Sequence, residues 1–140
     1  MNRHHDDRGA ISVFVAVAAV AFVLLVGIAV DLTGQVATDQ RARDVAAQAA
    51  RAGGQRLQEA TAVQGDGAYI DPALARVAAE QFVAAAGMDA TVTVTSDATL
   101  QVQATTRYQT KFLSAIGIST LPASGDAEAR LARIVGGDER

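Results

Sequence analysis

The sequence predicts an α+β chain: a long N-terminal transmembrane helix that continues into an extracytoplasmic helix, a second amphipathic helix, and a small three-stranded antiparallel sheet. Three observations lead there. An uncharged run, Ala10 to Val30, is followed by about 30 residues of strong helix formers with no proline; Asp71-Pro72 and Gly87 bracket a second helical pattern; and after Met88 the apolar period changes to two.

The first element is the run AISVFVAVAAVAFVLLVGIAV, which lies between Gly9 and Asp31. At about 1.5 Å per residue it is long enough to cross a hydrocarbon core of roughly 30 Å as a helix. Two other readings compete for it. A cleaved secretory signal has a shorter apolar stretch and a small-residue cleavage site, whereas this run continues into polar sequence of helical character. A core helix apolar on every face needs a large protein around it, and the remaining chain is short and only modestly hydrophobic.

Orientation is weakly coded, because Arg3 and Arg8 on one side face Arg41 and Arg43 on the other. A short N-terminal tail before a long downstream region fits a signal anchor. The expected product is a single-pass cell membrane protein with residues 1–9 as a cytoplasmic tail, 10–30 as the span and 31–140 extracytoplasmic. Within the outer part, 31–60 reads as a stem helix, 61–135 as a small α+β domain and 136–140 as a disordered tail.

The stem sequence VATDQRARDVAAQAARAGGQRLQEA is rich in Ala, Gln and Arg. Asp39 with Arg43 and Arg41 with Asp44 have the spacing of helical ion pairs. The opposite face carries Ala42, Ala46, Ala49, Gly53, Leu57 and Ala60, and small residues at helical spacing let another element approach the backbone closely. Two partners fit this candidate helix-packing face, the rest of the same domain or another molecule. Gly53-Gly54 marks a kink or an end. Thr61 to Ile70 reads as a loop around Gly65-Asp66-Gly67, without the alternating carboxylates of a calcium loop.

Asp71 then reads as an N-cap with Pro72 at the first helical position, and Gly87 as the stop. Leu74, Val77, Ala78, Phe82 and Ala85 share one face, predicted to cover the core with Phe82 as main anchor. Thr91–Thr95 and Leu100–Ala104 alternate on either side of a polar turn at Ser96-Asp97-Ala98. They read as an antiparallel hairpin with Val92, Val94, Leu100, Val102 and Ala104 buried. Tyr108 to Gly117 reads as a short helical turn with Phe112, Leu113 and Ile116 inward. A third strand is expected between Thr120 and Ile134, with Ala127, Ala129 and Leu131 on one face and Pro122 at its start or on an edge.

Composition excludes several chemistries. The net charge of −3 lies wholly in residues 31–140, because Arg3 and Arg8 cancel Asp6 and Asp7. No basic cluster is available to neutralise phosphates, so nucleic acid is not an expected partner. There is no cysteine, and both histidines, His4 and His5, precede the span. The outer part therefore lacks a Ser-His-Asp or Cys-His arrangement and the usual zinc ligands. No serine has a nucleophile-elbow context and no glycine pair a phosphate-loop signature. Asp126 and Glu128 fall on one exposed strand face, which reads as a solvated edge. No catalytic residue, metal, cofactor or small-molecule substrate is expected, and the chain does not read as an enzyme.

The order of these parts resembles the TadE/TadG-like pilus-assembly proteins of the tight-adherence (Tad, Flp) system, a pilin-like family. The resemblance rests on Arg8 to Val15 opening the span and on the helix Arg43 to Gly53. It also rests on the run Phe112 to Ile118, before a last strand ending near Ala129-Arg130. It implies a pilin-like fold and a non-enzymatic, membrane-anchored component of pilus assembly, a minor pilin or pseudopilin, with pilus or secretion-machinery proteins and the lipid bilayer as partners. Members processed like prepilins carry a glycine before the span and a glutamate five residues after it. Gly9 matches, making Gly9 and Ala10 the implied processing site, while Phe14 stands at the glutamate position. A cleaved and an uncleaved form both remain open, as does a different role: an anchored binding or accessory subunit of an unrelated envelope complex.

Overall fold

The computed structural model describes residues 7–64, 72–95 and 99–130, and within the first helix the side chains of residues 9–56. The elements are helix α1 (Asp7–Gln64), helix α2 (Pro72–Ala85), strands β1 (Asp89–Val94) and β2 (Thr99–Gln109), a 3-10 turn (Leu113–Ile116) and strand β3 (Thr120–Arg130). The strands form one antiparallel sheet in the order β1-β2-β3. The architecture is the α+β one read from the sequence. The chain divides into two compact units, Met1–Gln35 with Tyr108–Leu121, and Val36–Arg107 with Pro122–Arg140.

Helix α1 is continuous from the apolar run into the polar stem, because nothing between Ala10 and Gln64 removes a backbone donor. Gly53-Gly54 neither ends nor interrupts it, and it extends past the expected end near Ala60 to Gln64. The expected loop thus loses residues 61–64 to the helix, while 65–70 lie outside the described residues. So do Asp71, the Ser96-Asp97-Ala98 turn, Leu131 to Ile134 and the tail from Gly136.

In the second unit the core is made of Ala42, Val45, Ala46, Ala49 and Ala50 of α1, Ala75, Ala79 and Val83 of α2, then Met88, Val92, Leu100, Val102 and Ala104. The hairpin register pairs Val92 with Val102 and Val94 with Leu100, which puts the predicted apolar set on one face. Val94 is half-buried and the others are buried. In β3, Ala123 and Gly125 are buried, with Ala127 and Ala129 packed at the margin of the core. Pro122 is exposed on this edge strand, where a missing N–H is tolerated.

The buried face of α2 is not the predicted one. Ala75, Ala79 and Val83 are buried, while Leu74, Val77 and Phe82 are 55%, 45% and 37% exposed and Ala85 is also exposed. The helix carries two overlapping stripes, and the smaller one wins because close backbone approach demands it. A Cβ on Gly53 would lie 2.8 Å from the Ala75 carbonyl oxygen, a spacing that larger side chains along that stripe would prevent. Phe82 is therefore not the anchor. At the C-terminus Gly87 has φ +74°, and the N–H of Met88 donates to the Val83 carbonyl, closing the helix as its glycine predicts.

Candidate functional site: a small-residue face and a buried aspartate

The described part of the small-residue face packs within the chain. Ala42, Ala46 and Ala49 are fully buried and Gly53 is buried beneath Leu100 of β2 and Ala75 of α2. Leu57 lies in α1, but its side chain is outside those described. The contact is closest at β3: a side chain on Gly125 would run into the α1 backbone itself, at Ala42 and Arg43. Asp39 reinforces it, accepting the N–H of Ser124 at 2.9 Å. That carboxylate serves the strand, in place of the expected pairing with Arg43. A helical ion pair does form on α2, between Arg76 and Glu80 at 3.1 Å.

The first unit contains a group that reading the sequence passed over. Asp31, the residue that ends the apolar run, is completely buried. Its Oδ1 accepts the Lys111 N–H at 2.7 Å and the Tyr108 hydroxyl at 3.4 Å, and its Oδ2 accepts the Phe112 N–H at 2.9 Å and the Leu113 N–H at 2.7 Å. Three consecutive amides converge on one carboxylate, the arrangement in which backbone dipoles bind an anion. The ring of Tyr108 lies over Gly34, where a Cβ would collide with it.

Burial pushes the Asp31 carboxyl up, but the hydrogen bonds from the Lys111, Leu113 and Phe112 amides and from Tyr108 outweigh it, holding the group below its ordinary range. Tyr108 is shifted up, by burial first and then by the neighbouring Asp31 charge and their hydrogen bond. Asp31 is thus a buried anion stabilised by dipoles, a structural clasp. The only sequence signal for it is position, a carboxylate directly after 21 uncharged residues.

This clasp corrects the expectation for Tyr108 to Gly117. Tyr108 and Gln109 belong to β2, and the helical turn is confined to Leu113–Ile116. Phe112 and Ile116 are 50% and 62% exposed, and Leu113 is half-buried. Turning three successive N–H groups toward Asp31 fixes the backbone so that Ile116 faces outward, while Phe112 keeps one side against Gly27 of α1 and leaves the other open.

At the other end, Gly9 and Ala10 are exposed inside α1, which begins at Asp7. Among the described residues no group of three or more His, Asp or Glu is placed to hold a metal ion. Glu128 accepts from the Gln101 amide at 2.8 Å, so it belongs to a cross-strand polar ladder rather than standing as a free pair with Asp126.

Neither the curated proteins nor the solved structures give a match to this chain. A family model does, and it covers the part of α1 that holds Gly9, the apolar run, Asp31 and the buried alanines. Residues 9–56 match the family model Tad, described as Flp pilus-assembly TadE/G-like, so along its first helix this chain is similar to that family.

Proposed function

We propose that this protein is a non-enzymatic, membrane-anchored component of Flp-type pilus assembly, of the minor pilin or pseudopilin kind. The Tad match over residues 9–56 supports a role in Flp pilus assembly and is the observation that carries the reading. The helix it covers is also the one described helix long and apolar enough to cross a membrane. In this reading Ala10 to Val30 crosses the bilayer, with the N-terminus in the cytoplasm and residues 31–140 outside. The folded part then follows from the stem and presents surfaces to pilus or secretion-machinery proteins. The matched family is generally structural, which supports the non-enzymatic reading.

Deleting the gene in a cell that assembles Flp-type pili is expected to reduce piliation, with restoration by the full chain. Unchanged piliation and adhesion with the machinery active would overturn the proposal. Co-purification from mild detergent should recover pilus-assembly subunits. Recovery of an unrelated envelope complex would instead favour an anchored accessory subunit. The N-terminal mass then separates two forms of the same role: a start at Ala10 identifies prepilin-type processing, and a retained Met1 or Asn2 a permanent anchor.

A further inference from the structure

We propose that the loop between β2 and β3 is itself a membrane contact, with Phe112, Ile116 and Ile118 seated in the interfacial layer of the bilayer that α1 crosses. This rests on the reading of Ala10 to Val30 as a span.

The position of the loop is set by two contacts in the same unit. Phe112 packs on Gly27, where an added Cβ would lie 2.9 Å from its Cβ and 3.0 Å from its Cγ. Gly27 is inside the apolar run, about one helical turn before its end at Asp31. The Asp31 clasp then holds the amides of Lys111, Phe112 and Leu113, so the loop is fixed at the level where the span ends. A segment tied there meets the interfacial layer whenever the helix is inserted.

Its surface suits that environment. Phe112, Ile116 and Ile118 are 50%, 62% and 43% exposed, in a turn of only seven residues. No acidic residue occurs from Thr110 to Gly125, and the chain's single lysine, Lys111, is exposed beside Phe112. An apolar cluster with an adjacent long cation is the composition of an interfacial anchor, in which the amine reaches phosphate while the stem stays in the apolar layer.

The backbone is prepared in the same way. The N–H groups of Thr110, Ala115, Gly117 and Ile118 donate to the carbonyls of Ser119, Phe112, Ser114 and Leu113, and the next three amides after Thr110 donate to Asp31. The Thr110 hydroxyl donates to the Ile118 carbonyl and the Ser114 hydroxyl to that of Lys111. Few amide donors are left asking for water, which is the condition for non-helical backbone to enter a low-dielectric layer.

The chain has no tryptophan, so single substitutions report depth without background. The full chain carrying Phe112→Trp, Ile116→Trp or, as a reference inside the run, Phe22→Trp would be reconstituted in phosphatidylcholine–phosphatidylglycerol vesicles. These would contain lipids brominated either high or low on the acyl chain. Phe112→Trp and Ile116→Trp are expected to emit at short wavelength. The high-placed bromines should quench them by a fraction comparable with the quenching of Phe22→Trp by the low-placed ones. Because Ile116 is widely exposed, its variant keeps the test informative if Phe112→Trp disturbs the packing on Gly27. If both loop variants emit as in water and escape quenching while Phe22→Trp is quenched, the loop proposal is overturned and the span stands. If all three escape, the span reading fails and takes the loop proposal with it.

Discussion

In the unit built from Val36–Arg107 and Pro122–Arg140, α1 meets β-structure through missing atoms: Gly125 against the backbone of Ala42 and Arg43, and Gly53 beneath Leu100. In the other unit it holds chain through a charge, the Asp31 carboxylate under three amides. The first device tolerates no added volume, because its strength is close packing. The second has close contacts of its own, Tyr108 over Gly34 and Phe112 on Gly27, and depends besides on the ionisation of Asp31 and Tyr108. One helix thus carries two fastenings with different weaknesses.

Adding volume to the first fastening should give the largest effect. Gly125→Val places a branched side chain against backbone that cannot move aside, and is expected to destabilise the folded unit by about 3 kcal/mol. Chemical denaturation in detergent micelles measures this, and a loss below about 1 kcal/mol would show that β3 can shift without cost.

Removing the charge attacks the second. Asp31→Ala leaves the amides of Lys111, Phe112 and Leu113 without their acceptor, and is expected to speed tryptic cleavage after Lys111 about tenfold through more frequent local opening. The second unit should keep its denaturation midpoint. If instead the two changes fall together, the fastenings are one cooperative structure.

Acid should reproduce part of that effect, with a sign set by the shift. Asp31 is held below its ordinary value of 3.8, so its contribution is fully present above that value and is lost as the pH falls through its lower folded value. Tyr108 is shifted above 10.0, so its neutral form contributes fully below that and is lost as the pH rises through its higher folded value. Hydrogen exchange at residues 111–113, corrected for intrinsic rates, should be flat between about pH 5 and pH 9 and accelerate outside that window. The acid limb should vanish in Asp31→Asn.

The smallest effect should come from Arg76→Ala. The Arg76–Glu80 pair is 57% and 41% exposed, and its loss should change stability by less than about 0.5 kcal/mol. A larger loss would mean that Arg76 packs through its stem as well as its charge.

The fold was legible wherever local pattern and tertiary demand agree. The period-two alternation of Val92, Val94, Leu100 and Val102 is set by the pleat, and the observed register preserves it. Gly87 and Pro72 bound α2 because their backbone restrictions act locally. The alanine stripe was legible as a packing surface, but its partner was not, since small residues specify close approach without saying what approaches. The face of α2 was misread because Leu74, Val77 and Phe82 outweigh Ala75, Ala79 and Val83 in any hydrophobic count. Asp31 was unreadable as a clasp, because its ligands are backbone amides about 80 positions away and amides carry no sequence signature.

By itself the sequence determined the α+β class, a long first helix that carries the apolar run on into the stem, the buried face of the hairpin, and the Tad-like character of residues 9–56. These follow from charge, periodicity and backbone restriction, which act over a few residues. Only the tertiary structure decided which stripe of α2 is buried, where Gly53 and Gly125 admit a neighbour, and what Asp31 binds. Those depend on backbone-to-backbone distance and on amide direction, quantities that exist only after distant segments have met.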